Sequence, residues 1–374
     1  MNWRQTAEDY AWITYLGLSG RISTRISAQD LRDVAVGSAL GVFAITTATR
    51  QSLWAAGILL VLSATALPKA FHPGPTIWLA CRLALLCLSS IGALYAVEFR
   101  PDEAGVSIAI AMWVSIMVLM TCVRLTEKVF AWVLPIIAVH AVVTLVQGVL
   151  LHGRAAGLTA NANVGAGFLV LGAVYLATTR YKYWALVLIA AMPFTGSRLA
   201  AGVFLALVPL LGWRYSWKWA LAALATLATI TITFHSIVLP ALGFPERITV
   251  SVIHTDISRR LTAPPALSQP GMALSTSRFL PRGYAGDVGF HNVPLRLLYE
   301  TGLTGSAIWI FLSGYGLTRR LWTPAWWLLL SLTGLSVLDY YTWMPLSLSA
   351  FWWLTVKLQA EPIDRLTTTT GGGV

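Results

Sequence analysis

His291 and Asn292 are the residues of this chain whose types and position are best suited to chemistry. They stand where a polar segment meets a long apolar one, and Pro294 after them is typical of a helix's first turn. An imidazole exchanges protons near neutral pH, and an amide both donates and accepts hydrogen bonds. The pattern predicts a proton acceptor at a membrane surface with Asn292 beside it. A helix cap without a chemical role is the alternative.

Nine arginines are predicted to lie on the same side of the membrane as His291, and four of them are candidate site residues: Arg154, Arg198, Arg278 and Arg282. A guanidinium can hold a phosphate with two parallel hydrogen bonds. Arg198 follows a Thr-Gly-Ser turn that interrupts apolar sequence, where an arginine is costly unless it is paired or hydrated. We therefore expect an anion-binding role for these side chains. A plain interfacial anchor is the alternative for Arg198.

Asn161 and Asn163 belong to the same outer-side stretch as Arg154, in a chain with few other asparagines. Their amides are suited to hydrogen bonding with sugar hydroxyls. An asparagine just before an apolar run also caps a helix, so both interpretations stay open.

These residue types together fit the transfer of a group from a lipid pyrophosphate. The arginines would hold the pyrophosphate and stabilise the charge of the leaving group. His291 would take the proton from an attacking sugar hydroxyl. No metal and no cofactor is expected, because Cys81, Cys87 and Cys122 lie in apolar runs without metal-ligand spacing, and no glycine-rich phosphate loop is present.

The composition is that of a membrane protein with many helices. Of the 374 residues, 57% are hydrophobic and only 11% are charged, against about 25% in soluble domains. The net charge of +11 is spread over many short loops, which disfavours a nucleic-acid surface. The apolar runs predict an all-α polytopic membrane protein with about twelve transmembrane helices, at 34–49, 52–68, 75–97, 104–123, 129–151, 164–179, 184–196, 199–213, 219–239, 293–317, 324–340 and 343–358.

The basic residues predict that both chain ends face the cytoplasm. In that topology every lysine is inside, and the basic residues outside are all arginines. The chain then divides into a cytoplasmic or interfacial start at 1–33, nine helices at 34–239, a periplasmic loop at 240–292, three helices at 293–358 and a cytoplasmic tail at 359–374. We expect the Pro-rich loop to carry a short amphipathic helix and to serve as a lid or as a spacer.

Three more charged residues lie inside predicted spans. Arg296 and Glu300 are four residues apart on one helix face, so a structural ion pair is expected. Arg82 would face either a polar cavity or an acid that the pattern does not identify. A secondary transporter or a lipid-linked oligosaccharide flippase is therefore the alternative of a different class, with a central cavity lined by Arg82.

Residues 291–305 resemble the signature of the bacterial O-antigen ligase family. In that signature a His is followed directly by Asn, Ser or Gln. A Gly comes ten residues after this second position, and a Gly, Thr or Tyr comes three further on. The matching residues here are His291, Asn292, Gly302 and Gly305. Upstream, the order of Arg154, an Asn-x-Asn motif at 161–163 and Ser197-Arg198 is similar to the wider O-antigen ligase and polymerase superfamily, and the resemblance spans roughly 150–310.

This resemblance implies a twelve-helix protein of glycosyltransferase type C character in the bacterial inner membrane. It implies a metal-independent, inverting transfer of glycan from undecaprenyl pyrophosphate at the periplasmic face. Arg154, Arg198 and His291 would be catalytic, Asn292 would orient the substrate, and Arg278 would help to bind it. The acceptor expected for a ligase is lipid A–core.

A polymerase that joins lipid-linked repeat units is the alternative within the same superfamily. Ten residues separate Arg154 from Gly165, and ten separate Arg278 from Gly289. This spacing resembles an Arg-x10-Gly pattern of some polymerases. The second acceptor to consider is therefore another lipid-linked glycan.

Overall fold

The computed structural model describes residues 28–46, 74–150, 154–159, 161–241, 281–284, 292–338, 343 and 347–361. These residues form helices and no β-strand, as the apolar runs predict. The α-helices are α1 (Ala28–Thr46), α2 (Thr76–Phe99), α3 (Pro101–Thr121), α4 (Lys128–Ala131), α5 (Leu134–Leu150), α6 (Ala162–Ala177), α7 (Ala185–Ala191), α8 (Arg198–Arg214), α9 (Trp217–Ile232), α10 (Leu239–Ala241), α11 (Val293–Glu300), α12 (Gly302–Thr318), α13 (Pro324–Leu338) and α14 (Ser347–Ala360). Short 3-10 turns, Lys182–Trp184 and Met192–Thr195, flank α7, and a π-helical segment, Thr233–Val238, joins α9 to α10.

Four helical stretches are long and apolar enough to cross a membrane: Thr76–Phe99, Pro101–Thr121, Lys128–Leu150 and Trp217–Ala241. Large apolar side chains on their outward faces, such as Leu94 and Leu150, are 70% and 67% exposed, which suits contact with lipid. The chain is thus a helical membrane protein, and the part that the structure describes has fewer clear spans than the twelve predicted for the whole chain. The other apolar helices are shorter than the roughly 20 residues that a bilayer crossing needs.

Helix α6 lies at the centre of the helical bundle and is buried along most of its length. It packs against α5, α7, α8, α13 and α14. Its glycines allow this close approach: a Cβ added at Gly167 would lie 2.7 Å from Leu348 Cδ1, and one at Gly172 would lie 2.7 Å from Ile137 Cγ2. The small residues therefore let one short helix hold neighbours on several sides.

The predicted span at 293–317 is wrong, because the chain breaks into α11 and α12. Gly302 has φ of 75°, a left-handed conformation that ends a helix and that glycine adopts without strain. Ser306 Oγ donates to the carbonyl of Pro294 at 3.0 Å. Residues twelve apart in one continuous helix would be about 18 Å apart. Helix α11 therefore folds back along α12, and Asn292 does not start an inward-running span.

Several predicted features lie outside the described residues. They include the span at 52–68, most of the loop at 240–292 with its expected amphipathic helix, and two candidate site residues, Arg278 and His291. Their assignments stay predictions. Below, the end of the bundle where α5 ends and α6 begins is called the outer end, and the opposite end the inner end, after the predicted topology.

Candidate functional site

Two chain segments meet at the outer end of the bundle, and four predicted site residues, Arg154, Asn161, Asn163 and Arg198, lie on them or at the helix starts that follow them. Residues 154–159 join α5 to α6, and the turn at 192–197 joins α7 to α8. Ala155 N donates to the carbonyl of Phe194 at 3.0 Å, which fixes the two segments side by side. Arg154, Asn163 and Arg198 are thereby brought to one place, although they are distant in sequence.

Arg154 is bonded across these two segments. Its Nε donates to the carbonyl of Thr195 at 3.0 Å, and its Nη2 donates to Asn163 Oδ1 at 2.6 Å. A Cβ added at Gly196 would lie 3.3 Å from Arg154 Cγ, so the glycine leaves room for the arginine stem. The described acceptors of Arg154 are neutral, and its side chain is exposed at the outer end.

Helix caps place the other polar residues of this site. Asn161 caps α6 by accepting from Asn163 N at 2.8 Å, so the capping role considered for it is confirmed. Ser197 caps α8 by accepting from Ala200 N, and Arg198 is the first residue of that helix. A helix start presents free amides and a partial positive charge. The site therefore combines two arginines with the start of a helix, an arrangement that favours an anion.

The chain segments that form this site contain no acidic residue. Residues 128–245, which include α5 to α10, contain no Asp or Glu. Two guanidinium groups in neighbouring turns repel each other, and an anionic ligand would relieve that repulsion. The electrostatics of the outer end are therefore suited to a phosphate or pyrophosphate.

Asn292 lies level with this site, on the far side of α13. Its Nδ2 donates to the carbonyl of Val337 at 2.6 Å, and its Oδ1 accepts from Leu295 N at 3.1 Å. Helices α8 and α13 run in opposite directions, since Tyr215 near the end of α8 donates to the carbonyl of Trp322 just before α13 at 3.2 Å. Arg198 and Asn292 therefore lie near the same end of α13. The amide of Asn292 caps α11, and its role in orienting substrate stays a prediction.

Arg282 belongs to a different group of residues. The backbone amides of Arg282 and Gly283 both donate to the carbonyl of Glu300 at 3.1 Å. Its guanidinium lies 5.9 Å from the centre of the Tyr299 ring. The structure brings Arg282 to the end of α11, and no described contact joins it to Arg154.

The expected pair of Arg296 and Glu300 is confirmed beside it. Arg296 Nε lies 2.8 Å from Glu300 Oε1, and both side chains are almost fully buried. Trp343 Nε1 donates to the second carboxylate oxygen of Glu300 at 2.8 Å. This pair is structural: its carboxylate holds α11 against Trp343, while the backbone carbonyl of Glu300 holds residues 282–283.

Sequence reasoning did not identify the residues that hold the segment carrying Arg154. His140 Nδ1 accepts from Leu158 N at 3.0 Å, and its Nε2 lies 3.1 Å from the carbonyl of Gly165. Gln147 exchanges two hydrogen bonds with the backbone of Gly157, at 2.8 and 3.0 Å. The sequence signal for these residues was their spacing: they lie seven positions apart, on one face of an otherwise apolar helix.

A third polar side chain within an apolar stretch, that of His235, supports the turn at 192–197. His235, in the π-helical segment, donates from Nε2 to the carbonyl of Pro193 at 2.7 Å. Phe194 packs between this segment and α5, with its ring 4.5 Å from that of Phe234 and against Gly148. The turn that precedes Arg198 is therefore held in place by contacts with α5 and with the π-helical segment.

Arg82 lies near the inner end of α2 rather than at the middle of the bundle. Its Nη1 donates to the carbonyl of Thr121, the last residue of α3, at 2.8 Å, and its Nε donates to the carbonyl of Trp78 at 3.1 Å. These bonds join the inner ends of two helices. They give no support to a transport pathway through the centre of the bundle.

Comparison with protein-family models, with curated proteins and with solved structures found no match for this chain. The resemblance of residues 291–305 to the ligase signature therefore stays a prediction from the sequence.

Proposed function

We propose that this protein is a glycosyltransferase of the bacterial inner membrane that takes a glycan from undecaprenyl pyrophosphate at the periplasmic face. The observation that carries the proposal is the convergence of Arg154, Asn163 and Arg198 at one end of the bundle. Residues 128–245, which include these three residues, contain no Asp or Glu. Two arginines beside a helix start suit a pyrophosphate headgroup, because guanidinium groups bind phosphate oxygens with parallel hydrogen bonds.

In the proposed reaction, an acceptor sugar hydroxyl attacks the anomeric carbon of the donor. The new C–O bond forms as the bond to the pyrophosphate oxygen breaks, and the leaving pyrophosphate keeps the electron pair. Arg154 and Arg198 would bind that developing charge, and His291 would receive the hydroxyl proton. Attack from the face opposite the leaving group inverts the anomeric centre. No metal or cofactor is required in this scheme.

The proposed acceptor is lipid A–core, which makes the protein an O-antigen ligase; a polymerase that uses a second lipid-linked glycan is the alternative. The test is an assay of the purified full chain with a lipid-linked glycan donor and each acceptor in turn. Extension of lipid A–core supports the ligase, and extension of the second lipid-linked glycan supports the polymerase. Failure to extend either acceptor, in a protein that is folded and monodisperse, overturns the proposal.

Arg198→Lys tests the role of the outer site within this assay. Lysine keeps the charge but loses the two-pronged geometry, so the rate should fall by roughly 100-fold. Arg124→Lys, on an exposed inner turn, is the matched control and should stay within about twofold of the unchanged protein. Equal rates for the two variants would remove Arg198 from the mechanism.

A further inference from the structure

The inner end of the bundle carries a surface that the proposed transfer reaction does not use. Two neighbouring turns have alternating aromatic and basic residues, Arg-Tyr-Lys-Tyr-Trp at 180–184 and Trp-Arg-Tyr-Ser-Trp-Lys at 213–218. We call these two stretches the 180–218 patch. They are physically joined, since Trp219 Nε1 donates to the carbonyl of Lys182 at 2.6 Å.

The aromatic side chains of the patch point into solvent or lipid. Trp213 is 81% exposed, Trp184 is 67% exposed and Trp217 is 55% exposed. Indole rings favour the headgroup region of a bilayer because they combine a large apolar surface with one polar N–H. Three such rings on two joined turns place this surface at the level of the lipid headgroups.

The cations of the patch lie beside aromatic rings. The Arg180 guanidinium is 4.7 Å from the centre of the Tyr181 ring, the Lys182 ammonium is 5.7 Å from that of Tyr183, and the Arg214 guanidinium is 5.9 Å from that of Tyr215. A ring face attracts a cation without cancelling its charge. The patch therefore keeps its positive potential.

Other basic residues at the inner end are neutralised by acids. Lys128 lies 3.1 Å from Asp30, Arg320 lies 3.3 Å from Glu127, and Lys357 lies 3.6 Å from Glu361. By contrast, Lys182, Arg214 and Lys218 form no ion pair with any carboxylate in the described part of the chain.

We propose that the 180–218 patch binds the headgroup of an anionic phospholipid from the inner leaflet. The phosphate would lie between the two turns and accept hydrogen bonds from Lys182, Arg214 and Lys218, while the acyl chains pass beside the exposed indole rings. Charge complementarity selects this occupant over a zwitterionic lipid. The site is independent of the transfer chemistry at the outer end.

Native mass spectrometry of the purified full chain tests the proposal, with phosphatidylglycerol as the probe and phosphatidylcholine as the comparison lipid. The unchanged protein should retain phosphatidylglycerol preferentially. Arg214→Gln/Lys218→Gln should weaken that binding at least tenfold, since each basic residue near the surface contributes to the attraction of acidic lipid. Arg124→Gln/Lys128→Gln removes the same charge from a neighbouring inner turn and should change the binding less than threefold.

Trp213→Ser tests the aromatic part of the patch without a change of charge. It should reduce retention of both lipids by a few-fold, because one exposed ring is lost. The proposal is overturned if phosphatidylglycerol binds no better than phosphatidylcholine, or if the two double variants lose binding equally. It is also overturned if the unchanged protein binds an acidic peptide in preference to the lipid.

Discussion

Arg154 and Arg296 are both arginines of the outer half of the bundle, yet their surroundings differ in kind. Arg296 is buried, and its guanidinium is matched by the carboxylate of Glu300 at 2.8 Å. Arg154 is exposed and is bonded, within the described residues, to a carbonyl and an amide oxygen. The first arrangement holds the fold together, and the second places a cation at the exposed end of the bundle.

The comparison shows that two residues of the same type can have different roles. A buried arginine requires a counter-charge, because an isolated charge in an apolar interior is very costly. An exposed arginine at the bundle end has no such requirement, because water solvates its charge. Removal of the counter-charge of Arg296 should therefore lower stability, and substitution of Arg154 should lower activity.

Removal of the Glu300 carboxylate should have the largest effect. Glu300→Ala leaves Arg296 buried with its ion-pair partner gone, and we expect a loss of about 3–5 kcal/mol in unfolding free energy. Denaturant unfolding in detergent measures this. Glu98→Gln, on an exposed face of α2, is the control and should stay within about 0.5 kcal/mol. The double variant Arg296→Met/Glu300→Gln should recover part of the loss; no recovery would show that the pair is not the cause.

Substitution of Arg154 should separate activity from stability. Arg154→Lys keeps one charge but cannot bond Thr195 and Asn163 together in the same geometry, so we expect a fall in glycan transfer of roughly 100-fold, equivalent to about 2.7 kcal/mol. The midpoint of unfolding should change little, because the side chain is exposed. Initial rates and unfolding curves on the same preparation measure both. A large stability loss with unchanged transfer would reverse the roles assigned to the two arginines.

The turn that holds Glu300 in place can be tested through Gly302. Gly302→Ala introduces a Cβ at a φ of 75°, which should cost about 1–2 kcal/mol. Gly314→Ala is the matched control in α12, since a Cβ there meets no atom within 4 Å, and alanine should be neutral or slightly stabilising. Thermal unfolding of the two variants gives the difference. Equal midpoints would mean that the break between α11 and α12 does not depend on this glycine.

A third buried charge sharpens the comparison, because Asp33 is held by hydrogen-bond donors and forms no ion pair among the described residues. Its carboxylate accepts from Thr126 and Gln29 at the start of α1, and burial raises its pKa to about 6 from an ordinary value of 3.8. The folded form thus binds the proton more tightly than the unfolded form. Stability should fall by about 1 kcal/mol as the pH rises from 5 to 7.

Asp33→Asn removes that titration, so the loss of stability over this pH interval should become smaller by the same amount. Thermal unfolding at several pH values between 5 and 7 measures it. An unchanged pH dependence in the variant would assign the titration to another group.

Individual residues of the candidate site could be predicted from the sequence, but their arrangement in space could not. The arginines at 154 and 198 stand out because a charged residue next to apolar helices is rare, and the caps at Asn161 and Ser197 follow from their position before apolar runs. Their mutual arrangement could not be predicted, since the bond from Arg154 to Thr195 joins residues 41 apart in sequence. The supporting residues His140, Gln147 and His235 were overlooked because each lies within an apolar stretch that reads as a plain span.

By itself, the sequence determined that the chain is a helical membrane protein. Its composition is too apolar for a soluble domain, and backbone that is buried in lipid must form its hydrogen bonds within helices. It also determined where α11 begins and that Arg296 pairs with Glu300, since a cap and a pair four residues apart on one helix are local features. Only the tertiary structure decided that residues 293–318 turn back on themselves at Gly302 and that Arg154 meets Thr195. Those outcomes depend on packing between distant segments, and apolar runs of similar composition do not specify which of them become neighbours.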